Sequence, residues 1–272
     1  MMHPGFSGVR TFSVACGLLV LVANSGRGFA QPAPSAVAAF DTYVGGVESR
    51  LAQQHRSQDA FLAPKALTPQ SDVRLRQGEF IVEQMTPSAG ESVSGAMLHH
   101  WRATAFVAGA TSADLARLMK DFNDYPRRFS PQVLQARVIS QHGDRLQVVM
   151  RVRQKHIISV VMDTSYDVAF GRLDDKHQFS LSRSTHISEI DSPGTSGERA
   201  LGPGEEHGYL WRQNTYWSYE QQNGGLYLQI ESVSLSRSIP SGLGWVVRPF
   251  VESVPRESLE FTLRSTCNAL LT

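Results

Sequence analysis

The chain has 272 residues, with 26 Lys and Arg against 25 Asp and Glu, 41% hydrophobic residues and two cysteines. This near-neutral balance gives no general pull toward nucleic acid or an anionic membrane, and so few cysteines exclude a disulfide scaffold or a cysteine-rich zinc module. The length is ample for one well-buried domain that needs no covalent staple.

The first 30 residues read as a secretory leader. Arg10 ends a short polar stretch, Thr11 to Val22 (TFSVACGLLVLV) is apolar but too short to span a bilayer comfortably, and Gly28-Phe29-Ala30 puts small residues where a signal peptidase reads. Cleavage after Ala30, with export to a periplasmic or extracellular space, is the expectation; an uncleaved anchor is the alternative. Cys16 lies inside the apolar run rather than after it, which argues against a lipoprotein. Loss of Arg10 and Arg27 takes the bases from 26 to 24 against an unchanged 25 acids, a net charge of −1. Cys267 is then the only cysteine, so an intramolecular disulfide is impossible.

Residues 31–94 form an extension ahead of the main domain. Val37, Phe40, Val44, Val47 and Leu51 share one face of a helix over Ala36–Gln54, weakened by Gly45-Gly46. Ala63 to Asp72 reads as a linker, Val73 to Met85 as a strand and Thr86 to Gly95 as loop.

The main domain spans 95–272. Met97 to Val107 alternates, placing Met97, His99, Trp101, Ala103, Ala105 and Val107 on one face and Leu98, His100, Arg102, Thr104 and Phe106 on the other. Thr111-Ser112 opens a helix over Ala113–Phe122, ended by Tyr125-Pro126. Strands follow over Val133–Gln141, Leu146–Arg153, Ile157–Phe170 and Phe179–Ile190, the last with Phe179, Leu181, Arg183, Thr185 and Ile187 on one face. Asp191 to Gly208 carries five glycines and two prolines and must be an irregular loop. Tyr209–Tyr219 and Leu226–Arg237 are strands joined by a hairpin turn at Asn223-Gly224. After Ile239-Pro240 the apolar WVVRPFV leads to a final helix from Ser253, with Pro255 in its first turn and Leu259, Leu263, Cys267 and Leu270 on one stripe. A meander of strands closed by a long helix is an α+β architecture, its elements segregated rather than alternating.

Familiar catalytic signatures are absent: there is no G-x-S-x-G elbow, H-E-x-x-H, Walker loop or G-x-G-x-x-G. No cofactor or metal is implied. Adjacent strand residues point to opposite faces, so His99 and His100 cannot easily share one metal. Arg183 lies among apolar neighbours and would anchor a ligand head group or form a structural ion pair, with Asp163 and Glu231 as candidate partners. Arg212, Asn214 and Tyr216 alternate against Trp211 and Trp217, and one set must line the interior. Ser232, Ser234 and Ser236 form a small-residue face that leaves room. Arg127-Arg128-Phe129 could touch an anionic lipid surface in a transient membrane contact.

The run from Trp101 to Gly109 into a Thr-Ser helix start, the pair LWRQNTYW and YLQIESVSLSRSIP, and the closing RPFVESVPRESLEFTLRSTCNAL resemble the START-like superfamily of polyketide cyclases, dehydrases and lipid-transport proteins, in its secreted bacterial form. That resemblance covers about Gly95 to Leu271. It implies a helix-grip fold, a curved antiparallel sheet wrapped around a long C-terminal helix, with the N-terminal helix and strand as additions. It also implies a cavity for a lipid, sterol or polyketide-like molecule, lined here by His99, Trp101, Met150, Met162, Arg183, Asn214, Tyr216, Leu259 and Leu263. The expected function is a secreted binding protein for one apolar small molecule, with no nucleic acid and no inferable partner protein. The alternative is a cyclase, dehydratase or hydrolase with His99 as general base and Asp163 or Glu231 orienting it.

Overall fold

The computed structural model describes residues 31–63, 68–86, 91–155, 159–238 and 244–272, with side chains in the last segment from residue 253. The expected leader lies outside them. In chain order the elements are α1 (Pro34–Gln54), α2 (Pro69–Arg76), β1 (Ile81–Gln84), β2 (Glu91–Val93), β3 (Ala96–Ala108), α3 (Ser112–Lys120), α4 (Tyr125–Arg128), β4 (Val133–His142), β5 (Arg145–Lys155), β6 (Ser159–Arg172), β7 (His177–Asp191), β8 (Arg199–Ala200), β9 (Arg212–Gln222), β10 (Gly225–Arg237) and α5 (Gly244–Leu270).

The strands form an antiparallel sheet in the order β1-β3-β10-β9-β7-β6-β5-β4, with β2 beside β3 and β8 beside β7. The β9–β10 hairpin closes at Asn223-Gly224, both at positive φ, which suits this dipeptide. Each long strand alternates, so the sheet has two faces; α5 packs on the inner one and α1 on part of the outer one. On the inner face Trp101, Ala103, Ala105 and Val107 of β3 and Leu226, Leu228 and Ile230 of β10 pack against Leu259, Leu263 and Cys267 of α5. This is the α+β helix-grip arrangement. Burial pushes the Cys267 thiol up to about 12, so it behaves as a small apolar side chain. On the outer face Leu98, Val233, Leu235 and Tyr216 pack against Ala36, Phe40, Val44, Val47 and Leu51 of α1. Each such aliphatic or aromatic residue contributes roughly 1.5–3 kcal/mol of burial.

Local chemistry explains where the elements depart from expectation. The strand expected over Val73–Met85 begins only at Ile81; ahead of it, Thr68 caps a helix by accepting from Ser71 N–H, Pro69 fits its first turn, and Asp72 and Arg76 pair one turn apart. The loop expected over Thr86–Gly95 contains the short β2. Thr111 and Asp114 form a reciprocal capping box at the start of α3, a stronger signal than the Thr-Ser pair alone. Tyr125-Pro126 does not end the helical stretch but opens α4. The final helix begins at Gly244 rather than Ser253, so Pro255 lies inside it; proline removes one intrahelical donor, and helix on both sides tolerates that loss. A register shift between Ser165 and Tyr166 on β6 leaves Thr185 of β7 without a partner. That bulge reverses the alternation, so Ile187 does not share a face with Phe179, Leu181 and Arg183. Arg127 and Arg128 are both held by Asp124, and Phe129 is buried, so this loop offers far less to a membrane than its sequence suggests.

Candidate ligand-binding site

The inner face changes character along its strands. Toward one end it is a closed apolar core. Toward the other, β10 supplies Ser232, Ser234 and Ser236, opposite Trp101, His99 and Met97 of β3. Serines in place of Leu226, Leu228 and Ile230 remove bulk and add hydroxyls. Gln213 of β9 lies opposite Ser234 and ties this region together. Its Nε2 donates to Ser232 Oγ at 3.5 Å, and its Oε1 accepts from the Tyr166 hydroxyl at 3.1 Å. His99 Nε2 lies 3.3 Å from Ser236 Oγ. Burial pushes the Tyr166 phenol up to about 12, which keeps it a neutral donor. The result is a polar belt from β3 to β6 across an otherwise apolar wall.

Around this belt stand Met162, with Met150 on the next strand, where Thr164 Oγ1 donates to the Met150 carbonyl at 3.0 Å. Leu259 and Leu263 of α5 pack with Trp101 in the adjoining apolar core. Trp101 stands at the junction of belt and core. It is 8% exposed, Arg256 of α5 sits over its ring at 6.0 Å, and its indole Nε1 is buried without a hydrogen-bond partner. A buried donor left unmade costs about 1–3 kcal/mol. Among the described residues it is the lone buried side-chain polar atom in that condition.

The structure does not bring the nine expected site residues together. His99, Trp101, Met150, Met162, Leu259 and Leu263 share the inner face. Arg183, Asn214 and Tyr216 lie on the outer face, beneath α1. Arg183 is clasped by Glu48 of α1 through two bonds of 2.6 and 2.7 Å, and the Tyr216 hydroxyl donates to the same carboxylate at 3.0 Å. Asn214 Nδ2 donates to the Tyr216 hydroxyl at 3.2 Å. Burial raises the Tyr216 phenol further above its usual range. The expected head-group anchor is therefore a structural ion pair, and its partner is neither Asp163 nor Glu231. A residue on the N-terminal helix supplied it, and no periodicity within the strands points there.

His100 lies on the outer face, within a buried charge cluster. Glu231, 1% exposed, lies 3.0 Å from His100 Nε2 and 2.5 Å from Arg50 Nη2. A carboxylate only accepts, so His100 donates from Nε2, and its Nδ1 lies 3.0 Å from the Tyr43 hydroxyl. Arg102 bridges Glu83 at 2.9 Å and reaches Glu231 at 3.6 Å. Burial pushes the Glu231 carboxyl up, but its bonds to His100 and Arg50 and the Arg50 charge outweigh that and bring it down to about 2. Glu231 thus serves His100 on the far side of the sheet from His99. Asp163 is held by Arg151 at 2.7 and 2.8 Å. The two carboxylates expected to orient a His99 base are both engaged elsewhere. No group of three or more His, Cys, Asp or Glu among the described residues could hold a metal ion, and no helix among them is long and apolar enough to cross a membrane.

Sequence reasoning missed Gln213 and Tyr166, which complete the belt, and the orphaned nitrogen of Trp101. The alternating serines were the available signal for the first two; an unmade bond is visible only once neighbours are placed.

No protein-family model and no curated protein matches this sequence. The chain is similar to solved START and aromatase/cyclase structures. A STAR-related lipid transfer protein from Xanthomonas axonopodis is 14% identical, with 70% of this chain and 99% of that one aligned and a TM-score of 0.45. A START superfamily protein from Mycobacterium smegmatis is 17% identical over 64% of this chain and 99% of that one, at a TM-score of 0.42. The Zhui aromatase/cyclase from Streptomyces sp. R1128 is 14% identical over 63% and 92%, also at 0.42.

Proposed function

We propose that this protein is an exported binding protein that holds one apolar small molecule, of lipid, sterol or polyketide type, against the inner face of its sheet. The observation that carries this reading is the unpartnered indole N–H of Trp101, buried beside a belt of serine, glutamine and tyrosine groups. An apolar molecule bearing one carbonyl or hydroxyl oxygen would satisfy that donor while Met150, Met162, Leu259 and Leu263 cover its body. Binding would draw on about 25 cal/mol per Å² of apolar surface removed from water, less the cost of association. Export rests on the leader at residues 1–30.

Native mass spectrometry of protein purified gently from its producing cells, followed by organic extraction, tests both parts. The expected species begins at Gln31 and carries a stoichiometric apolar adduct containing an acceptor oxygen. Trp101→Phe keeps an aromatic ring at the site but removes the five-membered ring that carries the donor. It should weaken that ligand by at least roughly 3- to 10-fold, the value of one hydrogen bond. A protein that stays empty when mixed with lipid, sterol and polyketide extracts would overturn the binding reading, and a retained leader would overturn cleavage.

A further inference from the structure

Where α1 crosses the outer face it leaves a cavity of about 210 Å³. This cavity sits where β7 and β9 part. Their ladder ends at Arg183 opposite Asn214, and beyond it the Ser184 hydroxyl accepts the Gln213 N–H at 2.9 Å in place of a backbone carbonyl. Phe40 and Val44 give the cavity apolar walls, and Gly45 gives it width. A side chain built at Gly45 would meet nothing within 4 Å. Glycine inside a helix is unfavourable, so open space is the one thing this residue supplies here.

The charges around the cavity are of two kinds. At one end Glu48 and Arg183 satisfy each other. The sequence of contacts along α1, His55 with Ser218 and then Glu48 with Tyr216 and Arg183, fixes its direction over β9. Asp41 is two turns, about 10 Å, before Glu48 on that helix. Arg212 is two residues, about 7 Å, beyond Asn214 on that strand. Both therefore stand at the opposite end of the cavity. Both line it, and neither side chain makes an ion pair or hydrogen bond with a described residue.

We infer that this cavity is a second binding site, for a small zwitterion with an apolar body, of the size and class of an apolar α-amino acid. Its carboxylate pairs with Arg212, its ammonium with Asp41, and its side chain lies over Phe40 and Val44 in the space left by Gly45. A simple anion would leave Asp41 facing it, and a simple cation would leave Arg212 facing it; only a ligand carrying both charges matches both groups. The site is separated from the inner face by the sheet itself and does not depend on the function proposed there.

Titration calorimetry of the full mature chain tests this with L-leucine, 4-methylpentanoic acid, which lacks the amine, and 3-methylbutan-1-amine, which lacks the carboxylate. Leucine should bind saturably, and each analogue at least tenfold more weakly. Arg212→Ala should lower leucine affinity at least tenfold. Gly45→Leu should abolish binding by filling the space, with a melting temperature no lower than that of the unaltered protein. If valine, leucine, methionine and phenylalanine all fail to bind, Asp41 and Arg212 serve each other at the surface and the inference falls. Equal binding of leucine and 4-methylpentanoic acid would also overturn it, and so would unchanged leucine affinity in the Arg212→Ala protein.

Discussion

Replacing Glu231 with Gln removes the charge at the centre of the buried outer-face cluster and leaves its shape. Two independent estimates give the cost. The carboxyl is lowered from its ordinary 4.5 to about 2, and at 1.36 kcal/mol per unit this corresponds to about 3 kcal/mol. Removing one partner from a buried ion pair costs about 3–5 kcal/mol. The lower end applies here because Arg50 keeps 36% of its side chain in water and Arg102 retains Glu83. The two agree at about 3 kcal/mol, which for a domain of this size lowers the melting temperature by roughly 6–12 °C. The effect has a pH signature. A carboxyl whose folded pKa is depressed stabilises the protein above its unfolded value and loses that contribution as protons bind the folded state. The Glu231 contribution is therefore complete above about pH 5 and fades between about pH 4.5 and 2. Urea denaturation of both proteins from pH 7 to pH 2.5, followed by circular dichroism, should show curves well separated at neutral pH that converge in acid. Other carboxylates titrate in both proteins and cancel in the difference. A gap under 1 kcal/mol at pH 7, or one that does not narrow in acid, would refute the account of this cluster.

Two further outcomes follow from the packing. Leu263→Ala, at a fully buried position between α5 and the inner face, should cost about 2–5 kcal/mol in urea denaturation; a loss below 1 kcal/mol would mean that α5 is not gripped as described. Arg183→Met breaks the clasp with Glu48, but 47% of the Arg183 side chain is exposed, so a double-mutant cycle with Glu48→Gln should give a coupling below about 1 kcal/mol.

Much of the fold was legible because the long strands alternate cleanly. Met97 to Val107 divides into the two faces that the structure shows, and the Asn223-Gly224 turn lies where its backbone needs predicted it. The failures share a cause. Alternation says which residues lie together but not what covers them, and β3 is buried on both faces because two different helices use it. The face carrying His100, Arg102 and Tyr216 could be assigned to α1 only through contacts with residues far away in sequence. Arg183 went astray for the same reason, since Glu48 lies on an element with no strand pattern. At Thr185 an extra residue reversed the phase, and a bulge leaves no mark in a hydrophobic pattern when its neighbours are Ser184 and His186. The belt on the inner face was half visible: three alternating serines announced room, while the glutamine and tyrosine that organise it come from β9 and β6, two strands that β7 separates in the sheet.

That strand order also governs when the molecule can form. β3, the first long strand, pairs along its whole length with β10, the last, while β4 to β9 are made in between. This pair, near the β1 edge of the sheet, therefore has the longest loop to close, and that closure must come before either covering helix has a finished surface to rest on. Such a topology has high contact order and folds slowly. A chain emerging from a ribosome or a translocation pore can assemble the β4–β7 meander early, yet it has no complete sheet until residue 237 is free. The long interval before closure makes the arrival of β10 the event that commits the protein to its native form.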